Sequence, residues 1–305
     1  MPELPDVEVY KRYFDSVALH QPISRIDIAA RRIIAGASSR ELERALVRQA
    51  FESTERHGKY LFARIGNGRW LMLHFGMTGS LSYYEDDNDR PRFTQLLVDF
   101  ENGHRLAYVD PRKLGWVVLV DAPQDFIDAN RLGPDALTLT FDRLRELMSG
   151  RRGAIKPWLM DQRVIAGIGN IYADEVLFQA GIHPLRNIGT LNERAIKRLF
   201  TSLRTVLKKA IAANADPERM PKSFLLRRRQ NGAPVPPVWW TREIDQDRRA
   251  NRLLLSEVPT GRAIAVTAQA IGHRLRVYWG RIPFRRRSTS ADPCRLSRSF
   301  PRGPS

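Results

Sequence analysis

One cysteine, Cys294, stands in a chain of 305 residues. A single thiol excludes an internal disulfide and any metal site built from several cysteines. Long apolar runs are missing too: no stretch approaches the roughly 20 residues that span a bilayer. The opening MPELPDVEVY carries acids where a secretory signal carries basic residues. These absences predict a cytoplasmic protein with no membrane segment. Acidic residues are scarce beside basic ones, 33 against 50, for a formal charge of +17. The excess is uneven, since the stretch from Lys222 to the end holds 18 basic and 5 acidic residues. Clustered Lys and Arg gain affinity by displacing counterions from phosphates, so a polyanionic partner is one reading of that stretch. A merely solvated basic tail is the other, and charge alone does not separate the two.

What is present has the length of two domains. Val7, Val9, Tyr10, Tyr13, Phe14 and Val17 fall at helical spacing and predict an N-terminal helix. Segments 23–28, 60–65, 70–74, 95–100, 105–109 and 116–120 are short, rich in branched and aromatic residues, and mostly flanked by Gly, Asn, Asp or Pro; they predict an antiparallel β domain. From about Asn130 the pattern turns helical, with room for about four helices. Breaks fall at Leu132-Gly133-Pro134-Asp135, Gly167-Ile168-Gly169-Asn170 and Gly181-Ile182-His183-Pro184. The expected class is α+β, with a β-sandwich domain at 1–125, a helical domain at 130–222 and an irregular region at 223–305. No internal repeat is present.

Pro2 and Glu3 open the chain, and a small second residue is compatible with removal of Met1. The product ends in a secondary amine. An unperturbed α-amino group has a pKa of about 7.7–8.0, so part of it is a neutral nucleophile near pH 7. Such an amine attacks the C1′ carbon of a sugar and forms a Schiff base, and an adjacent carboxyl group serves as acid and base. Taken alone, Pro2 and Glu3 are also ordinary residues of a helix's first turn.

Other segments weigh against that plainer reading. MPELPDVE, HGKYLF at 57–62, HFGMTG at 74–79, DPRKLG at 110–115 and DQRVIAGIGNIYADEVLFQAGIHP at 161–184 occur in this order. Together they closely resemble the formamidopyrimidine-DNA glycosylase and endonuclease VIII family over residues 1 to about 234. The resemblance implies a sandwich domain followed by a helix-two-turn-helix domain, acting as a monomer on damaged duplex DNA held in the cleft between them. It implies that Pro2 is the Schiff-base nucleophile, Glu3 the general acid and base, and Lys59 a cation near the phosphates that assists elimination. Base flipping leaves a hole in the stack, and Met77, Arg112 and Leu114 match the residues that fill it. Glycines around Met77 favour a loop for it over a core position. His74, Lys156 and Asn170 match phosphate contacts, with the helix start at Gly169-Asn170 offering amides to an anion; the alternative for Asn170 is an N-cap. Oxidised purines, such as 8-oxoguanine and formamidopyrimidines, are the implied substrates. Leu114, where many relatives carry Phe, keeps oxidised pyrimidines open, and Asp6 stands where the family usually has Glu. The implied reaction is base removal followed by strand cleavage at the abasic site. A protein that binds damaged or abasic DNA with impaired catalysis is the alternative. A ribosomal-type RNA-binding reading leaves Pro2, Glu3 and Lys59 unused.

Most relatives end in a finger whose four cysteines hold a structural zinc. Here the corresponding region reads VPPVWW after Pro234, so no zinc or other cofactor is expected. Codon degeneracy offers a reason. Shifting the frame by one nucleotide permits Cys at positions 235, 238, 255 and 258, the family's spacing. Residues from about 235 to 305 are therefore read as an out-of-frame translation, against the rival of a zincless finger. A true frame predicts impaired cleavage.

Overall fold

The computed structural model describes residues 1–29 and 31–229. The expectations for 235–305, namely the shifted frame, the lost finger and the basic tail, lie outside the described residues.

Helix α1 (Leu4–Val17) forms where apolar spacing predicts it. Pro5 sits in its first turn, where a missing N–H leaves no bond unmade, and Leu4, Val7 and Phe14 are buried along one side. There follow β1 (Ile23–Ile28), β2 (Ile34–Ala35), α2 (Ser39–Leu46), β3 (Phe51–His57), β4 (Tyr60–Ile65), β5 (Trp70–His74), β6 (Ser80–Tyr84), β7 (Thr94–Phe100), β8 (Arg105–Val109) and β9 (Trp116–Val120). They build a sheet of order β1-β7-β8-β6 and another of order β2-β9-β5-β4-β3. Pairing is antiparallel throughout, except for the two-residue match of β2 with β9.

The sheets bury alternate residues against each other, as period-two strands require. Leu61, Ala63, Leu71, Leu73, Val117 and Leu119 share one core with Leu96, Val98, Phe100 and Leu106, and Val7, Phe14, Leu42 and Leu46 from the two helices join it. The intervening Phe62 and Met72 point the other way and pack on Phe126 of α3 (Pro123–Ala129). Helical structure thus begins ahead of Asn130.

Helices α4 (Phe141–Met148), α5 (Ile155–Met160), α6 (Asn170–Ala180), α7 (Glu193–Ala212) and α8 (Leu225–Arg229) enclose a second core. Leu4 of α1 belongs to this helical core while Val7 belongs to the sandwich core. The start of the chain is therefore held by both halves of the molecule. Helix α8 corrects the expectation that irregular structure starts at 223. Phe224 and Leu226 are buried in the helical core, and the Leu226 N–H donates to Glu175 Oε2 at 3.0 Å. Among the described residues no helix is long and apolar enough to cross a membrane.

Candidate active site

The N-terminus docks on the turn that leads into α6. The Leu4 N–H donates to the Gly167 carbonyl at 3.0 Å. Gly167 has φ +112°, and a Cβ there would lie 2.6 Å from Leu4 Cδ1, so the turn admits only glycine. The Glu3 side chain then enters the amino end of the helix. Its Oε2 accepts the N–H groups of Gly169 at 2.6 Å and Tyr172 at 3.2 Å, and its Oε1 accepts Ile171 N–H at 2.8 Å. These donors have no partner within a helix, and the helix dipole favours a negative group among them. A Cβ at Gly169 would collide with the carboxylate.

Lys59 reaches the same place from the turn between β3 and β4. That hairpin tip sits on the α6 turn so closely that a Cβ on Gly58 would be 2.9 Å from Ala166 Cβ. Lys59 is buried. Burial pulls its pKa down, against the carboxylates of Glu3 and Asp6. Burial raises the pKa of Glu3, opposed by Lys59 and by the three amides. Asp6 Oδ2 accepts the Glu3 N–H at 2.9 Å, and its pKa is pushed up to about 7 by burial, aided by the Glu3 charge and countered by that hydrogen bond. Near neutral pH the shortened carboxylate is therefore charged only part of the time. Pro2, half-buried, directly precedes this group, and Met1 beyond it is exposed.

Two sequence expectations need correction here. Asn170 is not the N-cap: Gly169 is, and Asn170 is the exposed first helical residue. The amides of Gly169, Ile171 and Tyr172 are not open to a phosphate, because Glu3 brings its own carboxylate to them. Lys59 is buried beside the carboxylates of Glu3 and Asp6. His74, at the end of β5, is half-buried. Burial and the Lys59 charge lower its pKa to about 4, and its ring lies among those of Tyr60 and Trp116, 5.1 and 5.4 Å away. Lys156, on α5, has its Nζ 2.6 Å from Asp174 Oδ1, so its charge is met within the protein.

Met77 and Leu114 occupy loops, as the glycines around Met77 suggested for it, and are 42% and 48% exposed. Arg112 is exposed beside Leu114. Sequence reading assigned no role to the residue that organises them. Asp110 is fully buried, and its Oδ1 accepts the Thr78 hydroxyl at 2.7 Å and the Arg112 N–H at 3.2 Å, while Oδ2 accepts Gly115 N–H at 2.7 Å. Gly76 has φ +55° and abuts Leu114 and Gly115 so closely that a Cβ would overlap their backbone.

Two further positioning groups were also missed. Gln162 ties the α6 turn together: its Nε2 donates to the carbonyls of Met160 and Ile168, at 2.7 and 2.6 Å, and its Oε1 accepts Gly167 N–H at 2.9 Å. Arg56, from β3, donates to Asp135 Oδ2 at 2.5 Å and to Glu8 Oε2 at 2.9 Å. Asp135 also accepts the Gly58 N–H at 2.7 Å. Gln162 and Asp110 lie inside the motif segments quoted above, and Asp135 ends the Leu-Gly-Pro-Asp break. A buried side chain with several backbone partners leaves no signature in sequence beyond that placement.

Comparison with known proteins agrees along the described chain. Residues 1–117 match the formamidopyrimidine-DNA glycosylase N-terminal domain, and residues 132–221 match the formamidopyrimidine-DNA glycosylase H2TH domain. A formamidopyrimidine-DNA glycosylase of Halorhodospira halophila is 36% identical over 248 residues, covering 78% of this chain and 92% of the relative. One from Teredinibacter turnerae is 39% identical over 218 residues, 69% and 78% of the two chains. Among solved structures, the Lactococcus lactis Fpg in complex with abasic-site DNA superposes with a TM-score of 0.68 at 30% identity, covering 76% of this chain and 87% of that one. The same protein with DNA containing FAPY-dG gives 0.66 at 31%, covering 69% and 80%.

Proposed function

The chain belongs to the formamidopyrimidine-DNA glycosylase family, and on that premise we propose that it is a bifunctional DNA glycosylase and abasic-site lyase of base excision repair. The observation that carries the reading is the Glu3 carboxylate, fixed by three backbone N–H groups at the start of α6 with Pro2 immediately before it.

Once Met1 is removed, the Pro2 nitrogen attacks C1′ of the damaged nucleotide with its lone pair. The bond from C1′ to the base breaks, and the base leaves with a proton. Glu3, whose pKa burial raises, holds a proton to give the ring oxygen as the sugar opens to the iminium. Loss of a C2′ proton then expels the 3′ phosphate and cuts the strand. Lys59 faces Glu3 and Asp6 and offsets the charge that Glu3 takes on once its proton is given up. Met77 and Leu114 fill the space left by the extruded nucleotide, and Arg112 bonds the orphaned partner base. Oxidised purines are the substrate class, and oxidised pyrimidines belong in the same assay because of Leu114. The chain acts as a monomer. A finger zinc does not fit it, because Cys294 is its single cysteine, and no step here runs through a metal. If the frame of residues 235–305 is the true one, cleavage is slower than in relatives that carry the zinc finger.

Borohydride trapping on duplex DNA with an abasic site tests the reading, with Pro2→Gly and an N-terminally blocked form as controls. A covalent adduct that requires a free Pro2 supports it. Binding without an adduct favours a damaged-DNA binding protein instead.

A further inference from the structure

Phe93 is 53% exposed, and its backbone has φ +66°. A bulky aromatic residue rarely holds a left-handed conformation unless the surroundings impose it. Here they do. The Phe93 carbonyl accepts two donors, Gln95 Nε2 at 2.8 Å and the Asp110 N–H at 3.1 Å. Thr94 Oγ1 donates to the Pro91 carbonyl at 2.7 Å and holds the same bend. Gln95 is the extra residue of a β-bulge, since Thr94 pairs with Val109 while Leu96 pairs with Tyr108. Bulges re-aim side chains and gather near functional sites. The Gln95 side chain is itself buried, with its Oε1 lacking a hydrogen-bond partner. Several groups thus commit their hydrogen bonding to keeping one apolar ring in solvent.

The register of the sheet places that ring. Thr94, Val109 and Ser80 lie in one row across β7, β8 and β6. Phe93 precedes Thr94, Asp110 follows Val109, and Gly79 precedes Ser80. Phe93 is therefore presented at the same end of the sheet as the Met77 loop and the Arg112–Leu114 loop, bonded to the Asp110 that joins them. Arg92 places its guanidinium carbon 5.5 Å from the centre of the Phe93 ring.

We propose that Phe93 is a third apolar probe of the DNA duplex, packing on a sugar and base edge next to the nucleotide that Met77 and Leu114 replace, with Arg92 beside it meeting a phosphate. This rests on the functional reading above. An aromatic group against a base contributes sequence-tolerant stacking, which suits a surface that must inspect DNA of any sequence.

The test measures binding of the full chain to a duplex bearing a stable abasic analogue, with 2-aminopurine placed one nucleotide to either side. Phe93→Gly removes the ring and tolerates the left-handed backbone; Phe93→Trp keeps an aromatic face. Phe93→Gly is expected to weaken binding about tenfold without changing its salt dependence, while Phe93→Trp binds within about twofold of wild type. Wild-type protein is expected to change the 2-aminopurine signal more than Phe93→Gly does at saturation, a comparison that holds even if the variant is less stable. Equal affinity and equal fluorescence in wild type and Phe93→Gly would overturn the probe while leaving the glycosylase reading intact. Failure of the wild-type chain to bind that DNA, or to trap on a duplex with a natural abasic site, would instead overturn the reading beneath it.

Discussion

Asp110 accepts the Thr78 hydroxyl at 2.7 Å, and through this bond one buried carboxylate joins two loops that are 32 residues apart in sequence. The same carboxylate holds the Gly115 and Arg112 amides, so Met77 and Leu114 are presented as one surface. Asp110→Ala leaves a half-buried hydroxyl and two amides without their acceptor, which costs about 2–4 kcal/mol. Met77→Ala is expected to leave stability within about 0.5 kcal/mol of wild type, because the side chain is exposed. Both are expected to weaken binding to abasic DNA. Combined, they should weaken it less than the product of the single effects, since a released loop no longer aims Met77. Strict multiplicativity in a titration would mean that Asp110 does not position the loop.

Glu3 and Gly169 depend on each other. Gly169→Ala puts a methyl where the carboxylate stands, so the helix start must shift or Glu3 must leave its three amides. Base release is expected to fall by about 10²–10⁴-fold in both Gly169→Ala and Glu3→Gln, the range that a positioned acid or base contributes. Circular dichroism should show an intact fold in each. Single-turnover release from a lesion-bearing duplex checks this, and a wild-type rate in the Gly169→Ala variant would detach Glu3's placement from the chemistry.

The strands that read clearly in sequence are those whose residues face a core on one side or both. Strand β5, with Leu71 and Leu73 inward and Met72 under Phe126, is one. Strand β3 escaped notice because it lies at a sheet edge, where Glu52, Glu55, Arg56 and His57 leave Phe51 as its one fully buried residue. Helix α2 was legible and passed over, since Ser38 and Glu41 form the capping box that their spacing spells. At the site, motif order singled out Pro2, Glu3 and Lys59, but did not show that Glu3 would take up the α6 amides offered to phosphate. That contact joins residues 168 apart and exists only once the first turn of α1 is docked between the two cores.

Arg56 and Asp135 are nearly dry, with side chains 5% and 8% exposed. Burial alone would raise the Asp135 pKa, yet the hydrogen bonds and charge of Arg56 outweigh it and hold the carboxyl below its usual value. Arg56→Met strands the buried Asp135, while Glu8 keeps Arg12 at 3.3 Å, and is expected to cost about 3–5 kcal/mol. The hairpin tip that carries Lys59 shares Asp135 through the Gly58 N–H, so the same variant should slow borohydride trapping. Urea denaturation and trapping rates measure the two effects. A loss below about 1 kcal/mol would class the pair with solvent-exposed ones.

Asp6 and His74 set opposing pH dependences of stability. The folded pKa of Asp6 is about 7, above an ordinary value near 3.9. Its contribution is therefore full below that lower value and lost as pH rises through about 7. His74 is held at about 4, below an ordinary value near 6.5, so its contribution is full above 6.5 and lost as pH falls through about 4. Each changes stability by at most about 1.4 kcal/mol per pH unit, and between pH 4 and 6.5 the two oppose each other. Relative to wild type, Asp6→Asn should lose stability on acidification across that window, and His74→Gln should gain it. Chemical denaturation at half-unit steps of pH resolves the two slopes. Parallel curves for all three proteins would mean that neither group is perturbed by its burial, and the dry pocket inferred for Lys59 and Glu3 would have to be open to water.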